Sequence, residues 1–146
     1  MKADRRAETN WEGPLIGGSG VTELKSSGVG SFPVTWASRV ESADGRTSPE
    51  ELLAAAHASC YAMAFSASLA RAGTPPERLH VVATVSINPK EGGGIKVTDS
   101  RLEVSGVVPG LDQAGFQEAA EKGDQGCPIS NAIRGNVNIT VAATLK

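Results

Sequence analysis

Residues 48 to 73 read SPEELLAAAHASCYAMAFSASLARAG, an Ala-, Ser- and Leu-rich run with no Gly or Pro between Glu50 and Ala72. That composition predicts one long helix over Pro49–Arg71. Ser48 is a good N-cap, Pro49 suits the first helical position, and Gly73 with Pro75 and Pro76 stops the helix. Glu51 stands three residues after Ser48, so Ser48 to Glu51 reads as a capping box. This gives Glu51 a structural task and leaves Glu50 free for another, beyond its favourable place near the positive helix end. The run is too poor in large apolar side chains to insert well into a membrane, and it carries His57. A helix packed inside a soluble protein is expected, with no membrane partner.

The rest of the chain arranges strands around that helix. Strands are expected near Glu8–Trp11, Gly20–Ser26 and Pro33–Glu41, separated by the Gly/Ser stretches IGGSG and SSGVGS. After the helix come the strand LHVVATVSINP, the turn KEGGG and the strand IKVTDSRLEVSGVV. A helix from Asp112 to Lys122 closed by Gly123, a shorter helix starting at Pro128, and the strand NVNITVAATL complete the chain. The order predicts an α+β fold with an antiparallel sheet packed on a long central helix. A chain of 146 residues without linker or repeat fits a single domain over 1–146. Net charge is −2 and aromatics are 4%, so neither a basic nucleic-acid footprint nor a stacking platform is present. No apolar segment follows the basic N-terminal residues as in a secretory signal, so a cytoplasmic protein is expected.

In a reducing compartment, two cysteines point to transient, catalytic or sensing chemistry more than to a structural staple. Cys60 lies in the middle of the long helix; taken alone, such a thiol is a small buried hydrophobe. Cys127 lies in GDQGCPIS, where Pro128 as first helical residue makes Cys127 the N-cap, among unpaired N–H groups that favour a thiolate. The two are 127 − 60 = 67 residues apart, so only the fold can bring them together. A reactive thiol also needs a cation. Arg39, expected on a strand, is a candidate; locally it could equally be a solvated arginine paired to Glu41.

The segment RVESADGRTSPEELLAAAHASCYAMAFSASLARAG resembles the central signature of the OsmC (osmotically inducible protein C) branch of the OsmC/Ohr family of thiol-dependent organic hydroperoxide peroxidases. GCPISNAIRGNVNITVAATL resembles the second-cysteine segment of the same family, and WEG near the start and VPGLD before the third helix also fit. An arginine just before the helix is similar to the OsmC branch; in the Ohr branch it comes nearer the N-terminus. The resemblance runs from about Trp11 to Leu145.

The resemblance implies an OsmC-like fold and an intertwined homodimer with active sites at the subunit interface. It implies Cys60 as the peroxidatic cysteine, Cys127 as the resolving one, Arg39 as the active-site arginine and Glu50 as the carboxylate that holds it. The implied reaction reduces organic hydroperoxides to alcohols through a Cys60 sulfenic acid and a Cys60–Cys127 disulfide, in oxidative and osmotic stress defence. It needs no bound cofactor or metal; an external dithiol, of lipoyl type in this family, restores the thiols.

Independently, Glu50 and Cys60 are ten residues apart on one helix, about 15 Å along its axis. A second copy packed antiparallel would return Glu50 of one subunit toward Cys60 of the other, and the Ala54–Ser59 run is small enough to let two backbones approach. Around Cys60, Leu53, Ala56, Met63, Ala64 and Phe65 suggest an apolar pocket for alkyl or acyl hydroperoxides. Three other readings stand beside this one. His57, three residues before Cys60, could join both cysteines at a metal ion. The thiols could serve a redox sensor without turnover, or be incidental to an apolar small-molecule binding module.

Overall fold

The computed structural model describes residues 1–146, which fall into two compact units, Met1–Leu52 and Leu53–Lys146. In the first, β1 (Glu8–Glu12), β2 (Ser19–Glu23) and β3 (Ser31–Thr35) form an antiparallel sheet in that order. Cross-strand pairing is local, as in Thr9 against Thr22, whose hydroxyls meet at 2.9 Å.

The expected third strand stops early. Residues Trp36–Val40 form a short helix, α1, so Arg39 lies in a helical turn and not on a strand. The cause is local: the Thr35 hydroxyl accepts the Ser38 N–H at 3.0 Å, and the Ser38 hydroxyl oxygen accepts the Thr35 N–H at 3.1 Å. This reciprocal box outweighs the β-propensity of the preceding residues. The Ser38 hydroxyl also donates to the Thr47 carbonyl at 2.9 Å, tying α1 to the chain that leads into the long helix.

The long helix, α2, covers Pro49–Arg71 as the sequence predicts. Ser48 caps it by accepting the Glu51 N–H at 3.1 Å, but the other half of the expected box is missing. The Glu51 carboxylate instead accepts from the Thr47 hydroxyl at 2.6 Å. The helix ends at Gly73, whose φ of +85° permits the Thr74 N–H to reach the Leu69 carbonyl at 3.0 Å while the Gly73 N–H reaches Ala70 at 3.1 Å.

In the second unit, β4 (Arg78–Pro89) and β5 (Ile95–Val107) form a long antiparallel hairpin. Helices α3 (Gln113–Gln125) and α4 (Pro128–Ile133) then cross to β6 (Asn138–Leu145), which pairs parallel to β5. The α+β class holds, with the single antiparallel sheet resolved into two three-stranded sheets, one of them mixed. From Leu53 onward α2 buries one stripe at four-residue spacing, His57, Tyr61, Phe65 and Leu69, none more than 1% exposed. The last three pack with Leu102, Val104, Phe116, Ala120 and Cys127. The opposite stripe, Ala55, Ser59, Met63 and Ala67, is exposed.

Helix α3 runs past Gly123, where the sequence suggested it would close. Gly123 is not a terminator but a point of close approach: a Cβ there would lie 2.9 Å from the Phe65 ring. Of the side chains expected around Cys60, Phe65 is wholly buried in the core and Met63 faces outward.

Candidate active site

The four expected site residues form two clusters, one in each unit. In the first unit, Arg39 in the last turn of α1 meets Glu50 in the first turn of α2. The guanidinium donates from Nη2 to Oε1 at 2.7 Å and from Nε to Oε1 and Oε2 at 2.9 and 3.1 Å. The local alternative, pairing with Glu41, is not adopted. The Glu50 side chain is only 9% exposed and the Arg39 side chain 31%, so the carboxylate is held in the protein while an edge of the guanidinium remains accessible. Removing Arg39 would strand a buried carboxylate, which makes this pair a fixed unit and not a surface ion pair. Trp36 lies 5.9 Å below the guanidinium carbon.

Beside this pair is a cavity of about 340 Å³. Its walls are mostly apolar, with Trp11, Leu15, Val34, Trp36 and Leu52, and Arg39 supplies its charge. The sequence reading missed this cavity because its walls come from three strands and two helix ends, with no local pattern to mark them.

In the second unit, Cys60 is half-buried and Cys127 wholly buried; both are free thiols. Cys127 is the N-cap of α4, as the Cys-Pro pair predicted, and its sulfur accepts the Ser130 N–H at 3.4 Å. Burial pushes the Cys60 thiol above its ordinary value, and the neighbouring Cys127 pushes the same way. The backbone N–H of Ile129, also in the first turn of α4, pulls in the opposite direction. The fold thus brings the two sulfurs together at the amino end of α4. Burial and Cys127 favour the protonated Cys60 thiol, and a positive charge brought beside it would favour the thiolate.

His57 had no assigned role in the sequence. Its ring is wholly buried between two serine hydroxyls, Ser100 Oγ at 2.6 Å from Nδ1 and Ser130 Oγ at 2.8 Å from Nε2. Burial lowers its proton affinity, outweighing the nearby Asp124 carboxylate, so the ring is neutral. With both nitrogens engaged, the ring is not free to join the cysteines at a metal ion, and no group of three metal-ligating side chains is assembled. Neither serine carried a signal that the sequence reading used. Ser130, three residues after an N-cap, could have been marked; Ser100 sits unremarkably in a strand.

The chain as a whole is similar to known proteins. A family model described as OsmC-like protein matches residues 42–142. Peroxiredoxin OsmC of Escherichia coli (strain K12) is 32% identical over 139 residues, 95% of this chain and 96% of that protein. An organic hydroperoxide resistance protein of Xanthomonas axonopodis pv. citri is 36% identical over 96 residues, 65% of each chain. The fold agrees with the crystal structure of an organic hydroperoxide resistance protein OsmC from Legionella pneumophila, with a TM-score of 0.77 and 25% identity over 98% of this chain and 99% of that one. On the family match and the near full-length relative, the chain belongs to the OsmC-like protein family.

Proposed function

We propose that this protein is a cysteine-dependent peroxidase that reduces organic hydroperoxides to alcohols. The observation that carries the reading is the meeting of two free thiols at the amino end of α4 in a chain that also holds a carboxylate-clamped arginine beside an apolar cavity. The names of its relatives, peroxiredoxin and organic hydroperoxide resistance protein, support the substrate class.

Cys60 is the nucleophile. Its thiolate attacks the terminal peroxide oxygen; the O–O bond breaks as the S–O bond forms, and the alkoxide takes a proton and leaves as alcohol. Cys127 then attacks the Cys60 sulfenic acid, forming the disulfide and releasing water. Two electrons from an external dithiol, of lipoyl type by family resemblance, return both thiols. No metal or bound cofactor takes part in this scheme.

Arg39 supplies the positive charge that Cys60 lacks, and Glu50 fixes its direction. Because Glu50 and Cys60 are about 15 Å apart along one helix, we assign this arginine to a second copy of the chain across a two-fold axis, with α2 helices facing each other. The exposed small-residue stripe of α2 gives such a copy its contact face. We read α2 as a helix of a soluble, cytoplasmic dimer: its length and hydropathy alone would allow a membrane span, but its inner stripe is a packed core with a hydrogen-bonded histidine.

The test is hydroperoxide consumption with a dithiol reductant, cumene hydroperoxide against hydrogen peroxide, for wild type and Cys60→Ser. Preferential turnover of the organic substrate that vanishes in the variant is expected. Absence of turnover with slow thiol alkylation would favour the incidental-thiol reading; a reversible disulfide without turnover would favour a sensor.

A further inference from the structure

We propose that His57 is a positioning residue for disulfide closure, acting through Ser130 on Cys127. The inference rests on the thiol-peroxidase reading and assigns a task to a residue which that scheme does not use.

The chain of contacts is short and buried throughout. His57 on α2 holds the Ser130 hydroxyl at 2.8 Å, and Ser130 in turn gives its backbone N–H to the Cys127 sulfur at 3.4 Å. His57, Ser100, Ser130 and Cys127 are all 0% exposed. Ser100 Oγ on β5 fixes the other ring nitrogen at 2.6 Å, so the imidazole cannot turn and its grip on Ser130 is set from the sheet. His57 is also one helical turn before Cys60, on the same helix. One rigid ring therefore ties the helix that carries the first sulfur to the turn that carries the second. α4 has only six residues and cannot hold its own position by helix propensity.

Closure needs that hold. The Cys127 sulfur must displace hydroxide from the Cys60 sulfenic acid: the S–S bond forms, the S–O bond breaks, and the thiol proton leaves with the hydroxide as water. Attack is in line with the S–O bond, so a displaced Cys127 slows this step and not the earlier attack on peroxide. A neutral, doubly bonded histidine does this without adding charge between two sulfurs.

The test uses reduced full-length protein treated with one equivalent of cumene hydroperoxide, with dimedone trapping the sulfenic acid and mass spectrometry counting trapped Cys60 against disulfide. In His57→Leu and Ser130→Ala, Cys60 oxidation should proceed at close to the wild-type rate. Closure should slow roughly tenfold or more, and trapped Cys60 should rise. His57→Gln, which keeps one donor and one acceptor, should recover most of the rate. Leu69→Ala, on the same buried stripe but away from α4, should destabilise the protein without slowing closure. Closure at the wild-type rate in both His57→Leu and Ser130→Ala overturns the proposal, as does equal slowing by Leu69→Ala; if His57→Leu does not fold, Ser130→Ala carries the test. If wild type forms no sulfenic acid, the peroxidase reading fails. Closure is then driven with diamide in the same variants, where slowing in Ser130→Ala upholds the positioning role and an unchanged rate overturns it.

Discussion

At the scale of single residues, the two clusters differ in what they need. Glu50 is satisfied within its own unit by three hydrogen bonds from Arg39. Cys60 is not, since burial and Cys127 both hold its proton on. Arg39→Met should therefore lower turnover by about 10²–10³-fold, the size of losing one preorganised electrostatic partner. It should also move Cys60 alkylation by iodoacetamide to higher pH than in wild type; an unchanged alkylation profile would remove Arg39 from the site. His57 makes a separate prediction about stability. Its folded-state proton affinity lies below the ordinary value of 6.5, so the unfolded chain binds a proton first as pH falls. The stability that the neutral ring contributes is fully present above that value and is lost as pH drops below it. Denaturant midpoints measured between neutral pH and pH 5 should fall in wild type and fall less in His57→Gln. At this scale the sequence was readable where chemistry is local: Cys127 as N-cap follows from the proline beside it. Arg39 was misplaced on a strand because a two-residue exchange between Thr35 and Ser38 redirects the backbone. The pairing of His57 with Ser100 and Ser130 was not legible because three distant segments meet there.

At the scale of elements, the bounds of α2 were legible, since N-cap, proline start, glycine stop and composition all agree, though the Glu51 half of the capping box is not formed. The sheets were less so. Strands appear in the sequence as patterns, but which strands pair, and that β6 runs parallel to β5, depends on the crossover through α3 and α4. The free edge of β6 shows a device that no pattern announces. Gln113 and Gln117, four apart on α3, each donate to and accept from that edge: Gln113 meets the Ala143 carbonyl at 2.9 Å and the Leu145 N–H at 2.8 Å. Gln117 meets the Val141 carbonyl at 3.1 Å and the Ala143 N–H at 2.7 Å. The glutamines stand in for a fourth strand and blunt an edge that would otherwise invite pairing with another chain. Replacing both with alanine should cost about 1 kcal/mol per hydrogen bond lost and promote concentration-dependent aggregation, read by light scattering. Gly123→Ala sets two terms against each other. Alanine gains up to about 1 kcal/mol of helix propensity, while a Cβ at 2.9 Å from a fully buried Phe65 ring costs about 1–3 kcal/mol in overpacking. The second should win because the ring has nowhere to go, and the urea midpoint should fall; a rise would mean the core yields more easily than its packing suggests.

At the scale of the whole molecule, one face of α2 is a finished core and the opposite face is a row of small side chains, Ala55, Ser59 and Ala67, with an exposed Met63 among them, 68% accessible. A row of that kind lets two helices approach closely, and it was already visible as an alanine run. If two copies pair through this row as proposed, introducing charge with Met63→Arg should shift the protein from dimer to monomer in light scattering at micromolar concentration and abolish turnover with it. A dimer that persists with full activity would locate the interface elsewhere. In the proposed dimer, each site takes its thiols from one subunit and its arginine from the other. The most direct test of that sharing is peroxide turnover by a co-expressed mixture of Cys60→Ser and Arg39→Met chains, each inactive alone. Sharing across the interface predicts recovery to about a quarter of wild-type activity, since half the dimers are mixed and each has one intact site. No recovery, with mixed dimers demonstrably formed, would mean that Cys60 and Arg39 act within one chain or not together at all.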